Sequence, residues 1–300
     1  MKRNVLNSPR LLELQRKRVR ILTVKISFFI FLFLIVLTGL CFLSRWQEIN
    51  IRNVEIVGNK VVSTESIEMV VRQELAGYYL WFFPKTNFLF YPKKNISEKL
   101  GNQFPRLKDI TLQLKDTRTL SLSVSERLAT HTWCGDDLPS AGLLPEESKC
   151  YFLDNSGYIF DEAPYFSNDV YFRFFGRVER DTDSPAGSSF FPEIFSKIVF
   201  SLDTFTEMGI KPSSLMVKED GDIELYLKSG VLPPNSPKII FKKDSDFNKV
   251  AENLQAALTT EPLQSDFKNK YSSLLYIDLR FGNKVYFKFS AQGGSASGGN

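Results

Sequence analysis

The chain holds one histidine and three cysteines, so nucleophilic or metal chemistry has few residues to draw on. His131, Cys134, Asp136 and Cys150 form the single grouping with ligand character. His131-x-x-Cys134 supplies one spaced pair, whereas structural zinc sites bring two. A Ser/His/Asp or Cys/His catalyst would have to use His131, and no nucleophile motif surrounds it or Cys134. The sequence leaves three states open for Cys134 and Cys150. They can pair as a disulfide, which an oxidising compartment permits, stay as two free thiols, or join a partial metal site. His131 reads as a polar surface residue near a strand end. Asp154 and Asp161 read as loop carboxylates with turn roles rather than an acid/base pair. Neither common phosphate-cradling glycine loop is present. This reading assigns no catalytic residue, no metal and no cofactor.

Recognition chemistry is better represented, near the C-terminal end. Ile277, Leu279 and Phe281 alternate along one strand, and Val285, Phe287 and Phe289 do so along the next, with Gly282-Asn283 as the turn. Lys284, Tyr286 and Lys288 take the opposite face. Asp278 and Arg280 lie two apart and so share a face, where a local ion pair is expected. If the last strand ends its sheet, its unpaired N–H and C=O groups are a template for another chain. Backbone bonds then supply affinity and side chains choose the partner. The alternative for Lys284 and Lys288 is a gatekeeper role against unwanted pairing.

What positions this hairpin begins with Ile26 to Ser44, ISFFIFLFLIVLTGLCFLS, which carries no charge between Lys25 and Arg45. A helix of about 20 apolar residues crosses a hydrocarbon core of about 30 Å. Trp46 follows, where an indole suits the headgroup layer. The stretch exceeds a signal-peptide core and no small-x-small cleavage site follows. The expectation is an uncleaved transmembrane helix over 26–46, with a basic cytoplasmic arm over 1–25 and the body outside. The formal net charge is +4, and the arm holds eight basic residues against Glu13 alone. The remainder is slightly acidic, so the alkaline pI does not argue for nucleic-acid binding. The arm's charge fits topology and attraction to lipid headgroups.

Val54 and Ile56 alternate with polar neighbours as in a half-buried strand. Ser63 caps a helix whose apolar stripe is Ile67, Val70, Val71 and Leu75. A second helix starts near Asn95 with Ile96, Leu100 and Phe104. Two strands follow, Ile110–Lys115 and Leu120–Ser125, joined by a short turn. The order strand, helix, helix, strand, strand lets a three-stranded sheet bury one face under two helices. Between the helices, Tyr78 to Pro92 (YYLWFFPKTNFLFYP) is strongly aromatic. It fits either a cap on the small core or a patch facing membrane or partner. Beyond Arg127 come short strands over 127–134 and 149–160, and an apolar run over 170–175. A helix begins near Ser189, and strands flank Asp220-Gly221. A last helix capped by Asp246 closes before Pro262. The Gly/Ser-rich segment 291–300 reads as a disordered tail.

Three local stretches carry a resemblance. They are Val57-Gly58-Asn59 with Val62-Ser63, then Phe104-Pro105-x-Leu107-Lys108, then Leu122-x-Val124-x-Glu126-Arg127. Straight after a single anchor, this order resembles a POTRA domain of the FtsQ/DivIB family of bacterial division proteins. Trp133, Tyr151-Phe152-Leu153-Asp154 with Gly157, Ile159-Phe160 and Tyr276-Ile277-Asp278-Leu279-Arg280 resemble that family's second, β-rich domain. The insert at 78–92 and the Cys134/Cys150 pair depart from its better-known members. The resemblance implies an α+β protein. Its parts are a POTRA-like domain over 49–127 and a mixed, mostly antiparallel β domain with two helices over 128–290. It also implies a non-enzymatic scaffold in the bacterial cytoplasmic membrane at the division septum. Its partners would be FtsB and FtsL-type proteins, other divisome membrane proteins and membrane lipid. The partner-binding residues carried over are Arg280, which would meet an acidic partner residue, Phe281, Asn283, Lys284, Val285 and Tyr286. An alternative is a POTRA-type chaperone or transport-associated envelope protein, though no run of barrel-length strands is present.

Overall fold

The computed structural model describes residues 9–139, 149–166, 170–179, 183–229 and 231–290. The tail expected at 291–300 and the first eight residues lie outside them. The protein is mixed α and β, with one long apolar N-terminal helix and a large mixed sheet. The chain divides into two units, 1–100 with 109–125 and 101–108 with 126–300.

In the first unit, helix α1 (Pro9–Ser44) runs unbroken from the basic arm through the apolar stretch. Its segment Arg16–Ser44 is long and apolar enough to cross a membrane, and its apolar stretch is not buried inside the protein, whereas Ser44 at its end is buried. Strand β1 (Asn53–Val57) leads to α2 (Thr64–Leu75), whose Ser63 cap accepts a hydrogen bond from the Ser66 N–H at 3.2 Å. The aromatic stretch forms a small antiparallel hairpin, β2 (Tyr78–Tyr79) with β3 (Phe83–Pro84). Next come α3 (Lys93–Gln103), β4 (Leu107–Leu114) and β5 (Thr119–Glu126). The sheet order is β1-β5-β4, with β1 parallel to β5. Ile67, Val71, Ile96, Leu100, Leu120 and Leu122 are wholly buried, so the apolar stripes of both helices meet one sheet face. Gly58 is fixed by packing: it has φ +96°, and an added Cβ would lie 1.9 Å from the Val124 carbonyl oxygen.

The second unit is built on one nine-stranded sheet. Its strands are β6 (His131–Trp133), β7 (Cys150–Leu153), β8 (Ile159–Ala163), β9 (Arg173–Phe175), β10 (Pro212–Val217), β11 (Asp222–Leu227), β12 (Lys238–Lys242), β13 (Leu274–Phe281) and β14 (Lys284–Phe289). They lie in the order β14-β13-β12-β11-β10-β9-β6-β7-β8. Most neighbouring pairs are antiparallel; β12/β13, β9/β10 and β6/β9 are parallel. Parallel neighbours need long crossovers. Helix α4 (Phe195–Glu207) serves β9 to β10, and α5 (Phe247–Leu258) with α6 (Leu263–Asn269) serves β12 to β13. Phe195, Ile198 and Phe205 of α4 and Leu254 of α5 pack on Phe174, Leu225, Ile239 and Ile277 of the sheet.

Three expectations need correction here. The helix expected near Ser189 begins at Phe195, because Ser189 is bridged to Tyr158 and the Phe190 N–H bonds the Gly157 carbonyl at 2.8 Å. The second unit has a third helix: Pro262, read as a stop, is the N-cap of α6, a place where a missing N–H costs nothing. Asp161 lies within β8 rather than in a loop, ion-paired to Arg106 at 2.5 Å.

Candidate partner-binding edge

Among the described residues the nine-stranded sheet ends at β14 and at β8. At the β8 end the ladder is interrupted between Phe152 and Leu153. The side chains there are engaged in ion pairs, Asp161 with Arg106 and Glu162 with Lys149. Charges and irregularities of this kind blunt an edge. The β14 end alternates exposed and half-buried residues, and its ladder to β13 also shifts register twice, but at the β8 end the Ile159 N–H and carbonyl are already bonded to Ser188 and Gly187 at 2.9 and 2.8 Å.

Three features hold β14 in place. Gly282, at φ +64°, opens the two-residue loop Gly282-Asn283 between the paired Phe281 and Lys284, as a type II′ hairpin requires. The Asn253 side-chain amide of α5 donates to the Gly282 carbonyl at 2.8 Å, so the turn is tied to the helix layer. Val285, Phe287 and Phe289 pack against the core from the edge. Helix α5 is itself fixed by its Asp246 cap, which accepts the Asn248 N–H at 3.0 Å, and by buried Val250 and Leu254.

Which backbone groups face outward follows from the register. In a two-residue hairpin the closing pair exchanges both hydrogen bonds, and such pairs alternate along the strand. Lys284, Tyr286 and Lys288 therefore bond back to β13. The Ser290 N–H continues this series, bonding the Ser273 carbonyl at 2.7 Å. The N–H and C=O groups of Val285, Phe287 and Phe289 point away from β13, toward the open side. Beside them runs a groove of about 280 Å³ between β14 and the α5/α6 corner. Ala256, Ala257, Leu263, Val285 and Phe287 give it apolar walls, and Asn253, Thr260, Glu261 and Asn283 line it with polar atoms. A strand laid against β14 would place alternate side chains in this groove.

The six residues expected to bind a partner separate into three settings. Asn283 and Val285 line the groove. Phe281, Lys284 and Tyr286 are exposed, and the Phe281 and Tyr286 rings meet edge to face at 5.3 Å. Phe281 thus does not share a face with Ile277 and Leu279 as its spacing suggests. The register shifts between Asp278 and Phe281, and the extra residue turns its ring to the other side. Arg280 stands apart. Its guanidinium meets buried Asp278 at 2.9 and 2.6 Å and Asp222 at 2.5 Å. The resemblance has Arg280 meeting a carboxylate of a partner; here two carboxylates of its own chain already occupy it.

No family model matches the sequence, and the search of curated proteins finds no match. What the edge can do therefore rests on its own geometry, which offers backbone pairing and an apolar groove.

The other candidates of the sequence are placed as follows. Cys134 and Cys150 form a disulfide, one step beyond the paired Trp133 and Tyr151 of β6 and β7. The His131-x-x-Cys134 spacing accordingly offers no thiolate. His131 is not a surface residue. Its ring is half-buried against Phe172, Phe174 and Phe195, and burial lowers its pKa against a weaker opposing pull from Asp203. Asp154 does make a turn, accepting the Ser156 and Tyr158 N–H groups at 2.8 and 3.1 Å, and it also meets Arg127 at 2.5 Å. Burial opposes its ionisation, but the Ser156 and Arg127 bonds outweigh it and hold the carboxyl below the usual range. Among the described residues no group of three or more His, Cys, Asp or Glu is placed to hold a metal ion.

Sequence reading missed one polar network, on the sheet face opposite the main core. Buried Glu224 of β11 accepts the Tyr226 hydroxyl and meets Lys218 at 2.7 Å and Lys238 at 2.9 Å. The hint was present: Asp222, Glu224 and Tyr226 alternate with Ile223, Leu225 and Leu227. Alternation of that kind ordinarily marks a solvated face.

Proposed function

We propose that this chain is a membrane-anchored, non-enzymatic scaffold of the bacterial divisome, of the FtsQ/DivIB kind. It recruits FtsB and FtsL-type partners by strand addition to β14. The observation that carries this reading is the sheet edge itself. β14 ends the sheet, its outward backbone groups belong to Val285, Phe287 and Phe289, and an apolar groove runs beside it. The first unit supports the reading from another side. The element order β1, α2, α3, β4, β5 agrees with the order on which the resemblance to a POTRA domain rests, with the aromatic hairpin added between the helices. The apolar α1 supplies a single-pass anchor, with the basic arm cytoplasmic and the body outside.

In this role Phe281, Lys284 and Tyr286 select an acidic, partly apolar strand, while Arg280 stiffens the hairpin rather than reaching the partner. The test has two parts. A fluorescently tagged chain should form a band at midcell in dividing bacteria, and deleting Lys284–Phe289 should abolish co-purification with FtsB and FtsL-type proteins. A uniform envelope stain refutes the divisome role, and retained co-purification refutes the docking edge.

A further inference from the structure

The hairpin of β2 and β3 is unused by the function above, and its composition is unusual for an exposed element. Leu80, Trp81, Phe82, Leu89 and Phe90 are all solvent-exposed, Trp81 at 88%. These are large apolar groups gathered in one short stretch, whereas single exposed apolar residues need no explanation.

The backbone adds a second, independent oddity. The Phe82 N–H bonds the Tyr79 carbonyl at 3.1 Å, and both residues between them are left-handed, Leu80 at φ 47° and Trp81 at φ 69°. That is the pattern of a type I′ turn, which ordinarily takes Asn-Gly. Leucine and tryptophan adopt it only against their Cβ sterics. The turn therefore displays two bulky apolar side chains at a position where small residues fit better.

The structure also ties this hairpin to the end of α1. Buried Asn87 donates from its amide to the Ser44 carbonyl at 3.3 Å and hydroxyl at 3.2 Å. The Asn50 amide donates to the Ser44 and Trp46 carbonyls at 3.0 and 2.7 Å, and its carbonyl accepts the Thr86 hydroxyl at 2.8 Å. The bonds to Ser44 satisfy a carbonyl at the end of α1, where helix carbonyls lack partners within the helix. The Arg45 guanidinium lies 5.6 Å over the Tyr78 ring and the Lys85 ammonium 5.8 Å over Tyr79. Trp81 is three residues past Tyr78, about 10 Å of extended chain. The headgroup layer is about 5–8 Å deep on each side of the hydrocarbon. The tip thus lies within reach of the interface at which α1 leaves the bilayer. Between Glu74 and Glu98 the sequence has Lys85, Lys93 and Lys94 and no carboxylate. Aromatic rings with lysines are the composition of interfacial anchors, and the positive charge suits anionic headgroups.

We propose that the Tyr78–Phe90 hairpin is a second membrane anchor, inserting Leu80, Trp81, Phe82, Leu89 and Phe90 into the headgroup–acyl boundary beside the end of α1. A lone helix leaves its attached domain free to swivel. A second contact at the same boundary fixes the first unit's tilt against the membrane. This inference rests on α1 spanning the bilayer, and not on any partner.

The test uses the full chain reconstituted in vesicles of phosphatidylcholine and phosphatidylglycerol, with or without brominated acyl chains. The chain has three tryptophans: Trp46 beside the span, Trp81 at the tip, and Trp133 buried in the second unit. In Trp46→Phe, brominated lipid should cut the Trp81 emission at least twofold. In Trp46→Phe/Trp81→Phe the quenching should vanish while the blue-shifted emission of buried Trp133 persists and reports the fold. In Trp81→Phe, Trp46 should still be quenched. Equal, negligible quenching in the first two variants with Trp46 still quenched in the third overturns the hairpin anchor and leaves the span intact. No quenching of Trp46 overturns the span, and the second anchor with it.

Discussion

Replacing Val285 with proline separates the edge of β14 from its fold. The Val285 N–H points away from β13, as the closing pair Phe281–Lys284 and the Ser290–Ser273 bond require. Proline removes this donor without touching the inward ladder, and proline is tolerated on an edge strand whose N–H faces solvent. The side chain loses little, since Val285 is only half-buried. The stability cost should thus be about 1 kcal/mol or less, within the range of an ordinary substitution. The cost to strand addition is larger. One backbone hydrogen bond is lost, about 0.5–1.5 kcal/mol net, and the partner carbonyl left facing a ring methylene adds about 1–3 kcal/mol. A total of about 1.5–4.5 kcal/mol corresponds to roughly 12- to 1,600-fold weaker binding. The assay is titration of purified full chain in detergent with an FtsB-type segment, read alongside urea unfolding. Tyr286→Pro is the contrast, because its N–H bonds back to β13; it should destabilise the hairpin itself. If Val285→Pro binds as tightly as the natural chain while Tyr286→Pro does not, strand addition at this edge is wrong.

Reducing the Cys134–Cys150 bridge frees a loop closed over a sequence separation of 16, so urea unfolding with and without reductant should differ by about 3 kcal/mol. Arg280→Ala leaves Asp278 buried without its two-bond partner and should cost about 2–4 kcal/mol, with Arg280→Lys recovering part of it. The chain's one histidine, His131, has its folded pKa pushed below 6.5 by burial. Its neutral form therefore favours the folded state fully above about pH 6.5, and that advantage shrinks as pH falls from there toward the folded pKa. Thermal melts across pH 5 to 7 should show this slope, and His131→Phe should flatten it. Glu224 and Asp154 have lowered pKa values. For Glu224 burial works against ionisation and the Lys218, Tyr226 and Lys238 bonds outweigh it, so both carboxylates lose their stabilising share only as pH falls below about 4. Leu80→Asn/Trp81→Gly gives the β2–β3 turn residues suited to positive φ and should raise stability in detergent by about 1 kcal/mol.

Local periodicity carried a great deal of this fold. The apolar run before Arg45, the helical stripe Ile67-Val70-Val71-Leu75 and the alternation of Val285, Phe287 and Phe289 each lie within one element. Their repeat reports one face of that element, so neighbours in sequence are enough to read it. Strand order is another matter, because pairing between distant strands depends on contacts that no single window contains. Only the tertiary structure decided that β14 ends the sheet among the described residues and that the β8 end is engaged by Arg106 and Lys149. It alone decided that a register shift turns Phe281 outward. It also set Asp222 against Arg280, 58 residues away along the chain, so that this arginine is held by two carboxylates of its own chain. The aromatic stretch 78–92 shows the division most clearly. Its composition was legible from the letters, but whether those rings fill a core or face outward depends on what packs above them. The structure divides the stretch: Leu80, Trp81 and Phe82 are exposed beside a helix end held by Asn50 and Asn87, whereas Phe83, Phe88 and Tyr91 are half-buried.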